Sequence, residues 1–339
     1  MLDLANQILA VPQEGPPRLV AVIDTEEEFD WAKPVSRSQI GVSHIRDLRR
    51  AHEIFDRFKL RPTYVVDYAV ASQRDGYQPL RELLSEGLCD IGAHLHPWVN
   101  PPFDGSEELP GNSFPGNLPK ELEGNKLRLL TELIEERFGA RPRIYRAGRY
   151  GVGPATAGIL ENLGYEIDTS VVPASDFRSE GGPDFRHCPP FPYWFGRHRK
   201  LLEIPLTVAW VGLAASLGFL VHGALNSSVS RRLRLAGLLS RTGILERIRL
   251  TPEGITLPEL KRLTVALLRR GHKIFSLTFH SPSLTPGHTP YVRSSGELEN
   301  FLGLVESYLE FFVGTVGGEV STLAEIRKSV IPARLDGSV

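Results

Sequence analysis

Directly behind the apolar run RLVAVID, five acids crowd seven positions: Asp24, Glu26, Glu27, Glu28 and Asp30. Extended chain has a period of two, so Asp24 and Glu26 face one side while Thr25 faces the other. Two carboxylates on one face behind a buried strand can share a cation and a proton. The same acids would also suit the first turn of a helix, whose dipole favours negative charge. Glu27 and Glu28 are assigned to that plainer role. In DIGAHLHPW the same period places His94 and His96 on one face, a pairing that binds one metal ion well. A pair of structural histidines is the alternative. Pro97 stops the strand there, and Trp98 is expected as a wall of a pocket.

Three further positions extend the chemistry. Arg146, in YRAGRYG, carries a permanent charge that forks onto carboxylates and would hold one ionised. Arg149 is either a surface residue or a substrate contact, and Gly148 and Gly151 let backbone N–H groups face an anion. His280, in SLTFHSPSL, is either a general acid for a leaving group or a structural strand-end histidine. Asp168 or another acid would fix its tautomer.

These residues must be positioned by elements that alternate along the chain. Strand-like runs (RLVAVID, RPTYVVD, CDIGAHLH, PRIYRAG, YEIDTSV, KLLEIPLTV, HKIFSLTFH) are separated by amphipathic or strongly helical runs such as KELEGNKLRLLTELIEERFGA. Repeating strand and helix predicts an α/β fold with parallel strands and outer helices, as a barrel or an open sheet. In such folds chemistry sits at the C-terminal ends of strands. Asp24, Asp67, His94, His96, Arg146, Asp168 and His280 all fall at or just past such ends. One domain is expected over 1–339, with a helical insert at about 208–255 breaking the rhythm.

Composition excludes several classes. The 339 residues are 41% hydrophobic with a net charge of −1, an ordinary soluble globular balance with no electrostatic case for nucleic acid. Two cysteines make neither a disulfide framework nor a zinc knuckle. The N-terminus lacks a basic leader region, which reads as cytoplasmic. Leu206 to Leu225 is long and uncharged enough to span a membrane, but its glycines and the strand before it argue against that. The basic stretch 228–250 reads as a solvated face, with peripheral membrane contact through anionic lipid, or contact with an acidic glycan, as the alternatives. Oligomeric state is open.

The order Asp-x-Glu, His-x-His, Arg-Ala-Gly-Arg-Tyr-Gly, Asp-Thr-Ser and Leu-Thr-Phe-His resembles the polysaccharide deacetylase (NodB-homology, carbohydrate esterase 4-like) family, closest to its bacterial WalW-like branch. The resemblance covers about 18 to 330 apart from the insert. It implies a distorted (β/α)7 barrel of TIM-like type and a divalent metal, most often Zn2+. It also implies removal of an N- or O-acetyl group from a sugar or polysaccharide. By position, Asp24 resembles the general base, Glu26 and His94 metal ligands, Arg146 the arginine that tethers the base, and His280 the general acid. The family's second metal histidine lies four residues after the first, where this chain has Trp98, so His96 is taken in its place. The family's adjacent aspartates are here separated by Thr25. A backbone N–H near Tyr150 is expected to face the oxyanion. Trp98, Arg149, Tyr150 and Trp194 are expected to meet substrate, and aromatics on the loops 97–119 and 171–199 to stack on sugar rings.

Two rival readings remain. One is hydrolysis of another non-peptide C–N bond, or of a glycosidic bond, on the same barrel. The other is a catalytically inactive carbohydrate-binding homologue.

Overall fold

A computed structural model describes residues 9–330 apart from 12–13, 107–108, 110 and 213–244. Its strands are β1 (Leu9–Ala10), β2 (Arg18–Thr25), β3 (Thr63–Val66), β4 (Asp90–Leu95), β5 (Ile144–Ala147), β6 (Ile167–Asp168), β7 (Tyr193–Phe195), β8 (Leu201–Glu203), β9 (Val208–Val211), β10 (Glu246–Arg249), β11 (Ile274–His280) and β12 (Glu319–Val320). Its helices are α1 (Arg49–Phe58), α2 (Tyr68–Ser72), α3 (Arg74–Ser85), α4 (Lys120–Phe138), α5 (Thr156–Leu163), α6 (Leu257–Arg269), α7 (Ser295–Glu310) and α8 (Leu323–Val330).

Among the described residues, seven strands run parallel in the order β11-β2-β3-β4-β5-β6-β8. The sheet curls into the distorted barrel expected from the alternation of strand and helix. Among the described residues no strand pair closes it between β8 and β11. The segment around β9 and β10 bridges that gap instead. Ser276 N–H donates to Thr207 Oγ1 at 2.8 Å, and Thr278 N–H to the Leu250 carbonyl at 3.1 Å.

Each parallel strand is covered on both faces, which is why it reads as a nearly unbroken apolar run. Along β2, Leu19, Ala21 and Ile23 pack in the layer shared with the helices, while Val20 and Val22 belong to the barrel-side cluster. Asp24 continues the second set. The same alternation holds elsewhere. Tyr145 and Ala147 are helix-side and Ile144 is barrel-side, so Arg146 is barrel-side too. Phe275, Leu277 and Phe279 are helix-side, leaving Thr278 and His280 inward. Period-two geometry thus gathers polar ends at one mouth above an apolar floor.

One expectation changes. The edges of the insert are not helical: β9 and β10 form an antiparallel pair with Arg249 opposite Val208. Val208–Val211 therefore belongs to a sheet, and residues 213–225 of the apolar run fall outside the described residues. No described helix is long and apolar enough to cross a membrane. Most of the basic stretch 228–250 also lies outside the described residues.

The loop after β4 is held by a buried cation. Lys126, mid-way along α4, donates through Nζ to the carbonyls of Pro97, Asn100 and Pro102 at 3.0, 2.5 and 2.7 Å. A fully buried ammonium is tolerated because all three of its donors are matched.

Candidate metal and catalytic site

Strand register lines up the polar ends. His280 stands opposite Asp24 across β11 and β2, and His94 opposite Arg146 across β4 and β5. Parallel neighbours in register point the same way, so these four side chains share the barrel mouth. Glu26 and His96 join them just past their strands. All but Arg146 line one cavity of about 880 Å3.

His94, His96 and Glu26 form a compact trio. The two Nε2 atoms are 3.0 Å apart, and Glu26 Oε2 lies 3.4 Å from His94 Nε2 and 3.3 Å from His96 Nε2. Each imidazole has its other nitrogen engaged. His94 Nδ1 meets the Arg146 carbonyl at 3.0 Å, and His96 Nδ1 meets Glu27 Oε2 at 2.7 Å. The Arg146 carbonyl can only accept, so His94 Nδ1 carries the proton and its Nε2 lone pair faces inward; an ionised Glu27 fixes His96 in the same way, and the two Nε2 lone pairs then face each other. Two lone pairs at that distance beside a carboxylate repel unless a cation or a proton lies among them. Glu26 Oε1 is buried without a hydrogen-bond partner. Two imidazoles and a carboxylate with their outer nitrogens fixed are a donor set suited to a divalent ion such as zinc.

Glu27 is the first residue that sequence reasoning misplaced. Rather than a solvated acid, it is fully buried behind His96. Its Oε1 accepts from Trp98 Nε1 at 2.5 Å, and its backbone N–H donates to Asp67 Oδ2 at 3.2 Å. Burial pushes its carboxyl up to about 7, with the charge of Glu26 adding to the shift. Asp67, the N-cap of α2, is also raised by burial and by Glu27. Glu26 faces the cavity with Asp24, and Glu27 lies outside the cavity lining, buried behind His96. Trp98 stacks on His96 with ring centroids 4.2 Å apart and lines the cavity as expected. Glu28 is a stitch: it accepts from Ser43 Oγ and His44 N–H, both at 2.8 Å.

Asp24 and Arg146 form the second unit. Arg146 Nη1 donates to Asp24 Oδ1 at 2.5 Å and to Thr278 Oγ1 at 2.7 Å, and its Nε donates to the Thr169 carbonyl at 3.0 Å. Burial pushes the Asp24 carboxyl up, but the positive charge beside it, above all that of Arg146, outweighs burial and holds the group below the usual carboxylate range. Arg146 engages Oδ1, and Oδ2 lies 3.7 Å from His280 Nε2.

His280 is fixed by an acid from an unexpected place. Glu253 Oε2 meets its Nδ1 at 2.8 Å, and Glu253 Oε1 accepts from the His280 N–H at 3.0 Å and from Ser283 Oγ at 2.7 Å. Burial alone would lower the His280 pKa, but Glu253, Glu26 and Asp24 raise it well above the ordinary histidine value. Trp31 sets its ring edge-on to the imidazole at 4.9 Å.

Asp168 does not serve His280. It stands in register with helix-side Tyr145, on the face opposite barrel-side Ile167, so its carboxylate points away from the mouth. It accepts from Ser170 Oγ at 2.5 Å and pairs across β6 and β8 with Glu203, and burial pushes it up to about 6. Trp194 is also corrected. It is 2% exposed on β7, pairs opposite Leu9 and packs in the barrel-side cluster, away from the cavity. Of the loop aromatics, Phe185, Tyr193 and Phe195 are likewise buried, while Phe114 lines the cavity.

Arg149 and Tyr150 line the cavity, and both have left-handed backbone, with φ of 52° and 61°. Consecutive side-chain-bearing residues in that region are costly and cluster at functional sites. Gly148 before them is obligatory: a Cβ there would lie 2.4 Å from the Leu95 carbonyl oxygen and 2.5 Å from His96 Cδ2. Arg149 donates to Ser113 Oγ at 2.6 Å and Glu180 Oε2 at 2.5 Å. The cavity walls also include Phe29, Trp31, Phe177, Arg249 and Tyr291, which the sequence had not singled out for the site.

No protein-family model and no curated protein matches the sequence. Solved structures do share the fold. A provisionally assigned polysaccharide deacetylase from Mycobacterium smegmatis is 17% identical over 95% of this chain and 93% of that one, with a TM-score of 0.51. A provisionally assigned glycoside hydrolase/deacetylase from Parabacteroides distasonis is 12% identical over 94% and 72%, with a TM-score of 0.59. A GH57 branching enzyme from Thermococcus kodakaraensis is 13% identical over 93% and 72%, with a TM-score of 0.52. At these identities the likeness is one of fold.

Proposed function

We propose that this chain removes an acetyl group from a carbohydrate by metal-assisted hydrolysis, as a polysaccharide deacetylase-like enzyme of the WalW-like branch. The observation that carries the reading is the convergence of two imidazole Nε2 atoms, 3.0 Å apart, on the buried carboxylate of Glu26. The motif order and the shared barrel fold support the family. Two solved structures of that fold are described as deacetylases, one of them also as a glycoside hydrolase.

Glu26, His94 and His96 would hold the ion, with Zn2+ favoured by two imidazoles and one carboxylate. Such an ion supplies Lewis acidity, lowering the pKa of water and polarising a carbonyl. Asp24 is the base. Arg146 engages Oδ1 and keeps the carboxylate ionised, so Oδ2 is the oxygen that takes a proton from the attacking water. His280 is the acid. Glu253 holds Nδ1–H, so a proton carried at Nε2 is directed to the departing amine or alkoxide. The raised pKa of His280 keeps that proton in place at neutral pH. Trp98, Tyr150 and Arg149 would contact the sugar, and a backbone N–H near Tyr150 the oxyanion.

Acetate release from acetylated chito-oligosaccharides tests the reading. Asp24→Asn should lower turnover by about 10²–10⁴-fold while the bound metal stays. Full acetate release by Asp24→Asn removes the base from the scheme, and reducing ends without acetate would point to glycosidic cleavage instead.

A further inference from the structure

Arg249 is a cation facing the cavity with no carboxylate to neutralise it among the described residues. Its neighbours contrast with it. Arg149 is paired with Glu180, and Lys33 with Asp30. Arg249 is only half-buried and lies over the Tyr150 ring at 5.2 Å, with Nη1 donating to the Tyr150 hydroxyl at 3.2 Å. One nitrogen is thereby oriented, and the rest of the planar fork is left to the cavity. Its backbone is rigid, because β10 pairs with β9 and the flanking Ile248 and Leu250 are fully buried.

The placement relates this charge to the reaction centre. Arg249 acts electrostatically on Tyr291, whose ring meets Trp31 edge-on at 5.8 Å, and Trp31 in turn meets His280. The guanidinium thus stands two aromatic rings from the acid along this path, on the wall of the same cavity. At about 880 Å3 the cavity is near the upper end of ordinary ligand sites, with room beyond a single acetylated ring. An oriented arginine without an anion, on a rigid strand in a ligand-sized cavity, is an anion receptor. Guanidinium binds phosphate and carboxylate oxygens through paired N–H donors.

We infer that the sugar this site takes carries an anionic group, a phosphate or a carboxylate, which Arg249 binds from the wall shared with Tyr150 and Tyr291. The inference rests on the deacetylase reading for the acetyl group, but the anion site stands on its own geometry. It makes selectivity for charged over neutral sugars a property of one residue.

The test is calorimetric binding to the purified chain of the methyl glycoside of N-acetylglucosamine, of N-acetylglucosamine 1-phosphate, and of N-acetylglucosaminuronic acid. At least one anionic form should bind about ten- to hundredfold tighter than the neutral glycoside, the range of a charge-assisted hydrogen bond. Preference for the phosphorylated form identifies phosphate, and preference for the uronate identifies carboxylate. Arg249→Gln should abolish the preference, and Arg249→Lys should retain part of it. Equal binding of neutral and anionic sugars overturns the inference. So does a preference that survives Arg249→Gln, or no measurable binding of either anionic sugar at millimolar concentration. Acetate release from the same sugars separates the two readings. Anion preference without acetate release keeps the anion site and sinks the deacetylase, and acetate release without anion preference does the reverse.

Discussion

β11 is bracketed by two histidines whose surroundings drive them in opposite directions. His272 precedes the N-terminal end of the strand, is 6% exposed, and has an Nε2 with no partner. Burial alone dominates there and pushes its pKa down to about 4. His280 ends the strand, and burial acts on it in the same sense, yet Glu253, Glu26 and Asp24 carry its pKa well above the ordinary value. Both rings lie against an aromatic edge, Phe275 for His272 and Trp31 for His280. The difference is carboxylates. Parallel strands direct their C-terminal ends to one mouth, and that is where this chain concentrates opposite charges. At the other end the ion pairs, Arg61–Asp90 and Arg143–Glu166, are partly exposed to solvent and lie apart from His272, and this end serves stability.

The strongest way to break the comparison is to remove each histidine in turn. His280→Gln should lower turnover by about 10²–10⁴-fold with little loss of thermal stability. His272→Leu should leave acetate release per folded chain unchanged. Equal losses in both variants would erase the distinction between the two ends.

The next effect is on stability. The unfolded His272 protonates below about 6.5, while the folded one resists protonation until about 4. The unfolded state therefore binds more protons between those values, and stability falls as pH falls through that window. The full loss is about 3 kcal/mol. Urea unfolding from pH 7 to pH 4 should show wild type losing about that much more than His272→Leu. Parallel curves would mean that burial at this end is not what holds His272 neutral.

The smallest effect sharpens the other end. Without the charge of Glu253, His280 loses its proton at lower pH. The alkaline limb of the rate profile in Glu253→Gln should then move down by about one pH unit or more. An unmoved limb would leave Glu253 as a packing group only.

These contrasts also explain what could be read in advance. Strand periodicity carries Asp24, His94, Arg146 and His280 to one mouth, because each lies on a run whose buried neighbours declare its parity. It failed at Asp168, where the strand is two residues long and Ile167 takes the barrel side. Glu27 was missed because an acidic run also suits a helix start, whereas the chain runs on to a β-bridge between Glu28 and Gly41. Glu253 and Arg249 come from the segment that bridges the open seam of the barrel, and no local pattern links T-P-E-G to a histidine 27 residues later. Trp194 looked like a loop aromatic because β7 is only three residues long and runs antiparallel to both of its neighbours, β1 and β8.

The central claim is that Glu26, His94 and His96 hold one divalent ion. Calorimetric titration of Zn2+ into chelator-stripped protein tests it most directly, comparing wild type with Glu26→Ala, His94→Ala and His96→Ala. The account predicts one equivalent bound per wild-type chain and a loss of about tenfold or more in affinity in each variant. No uptake by the wild type, or uptake indifferent to all three substitutions, would contradict it.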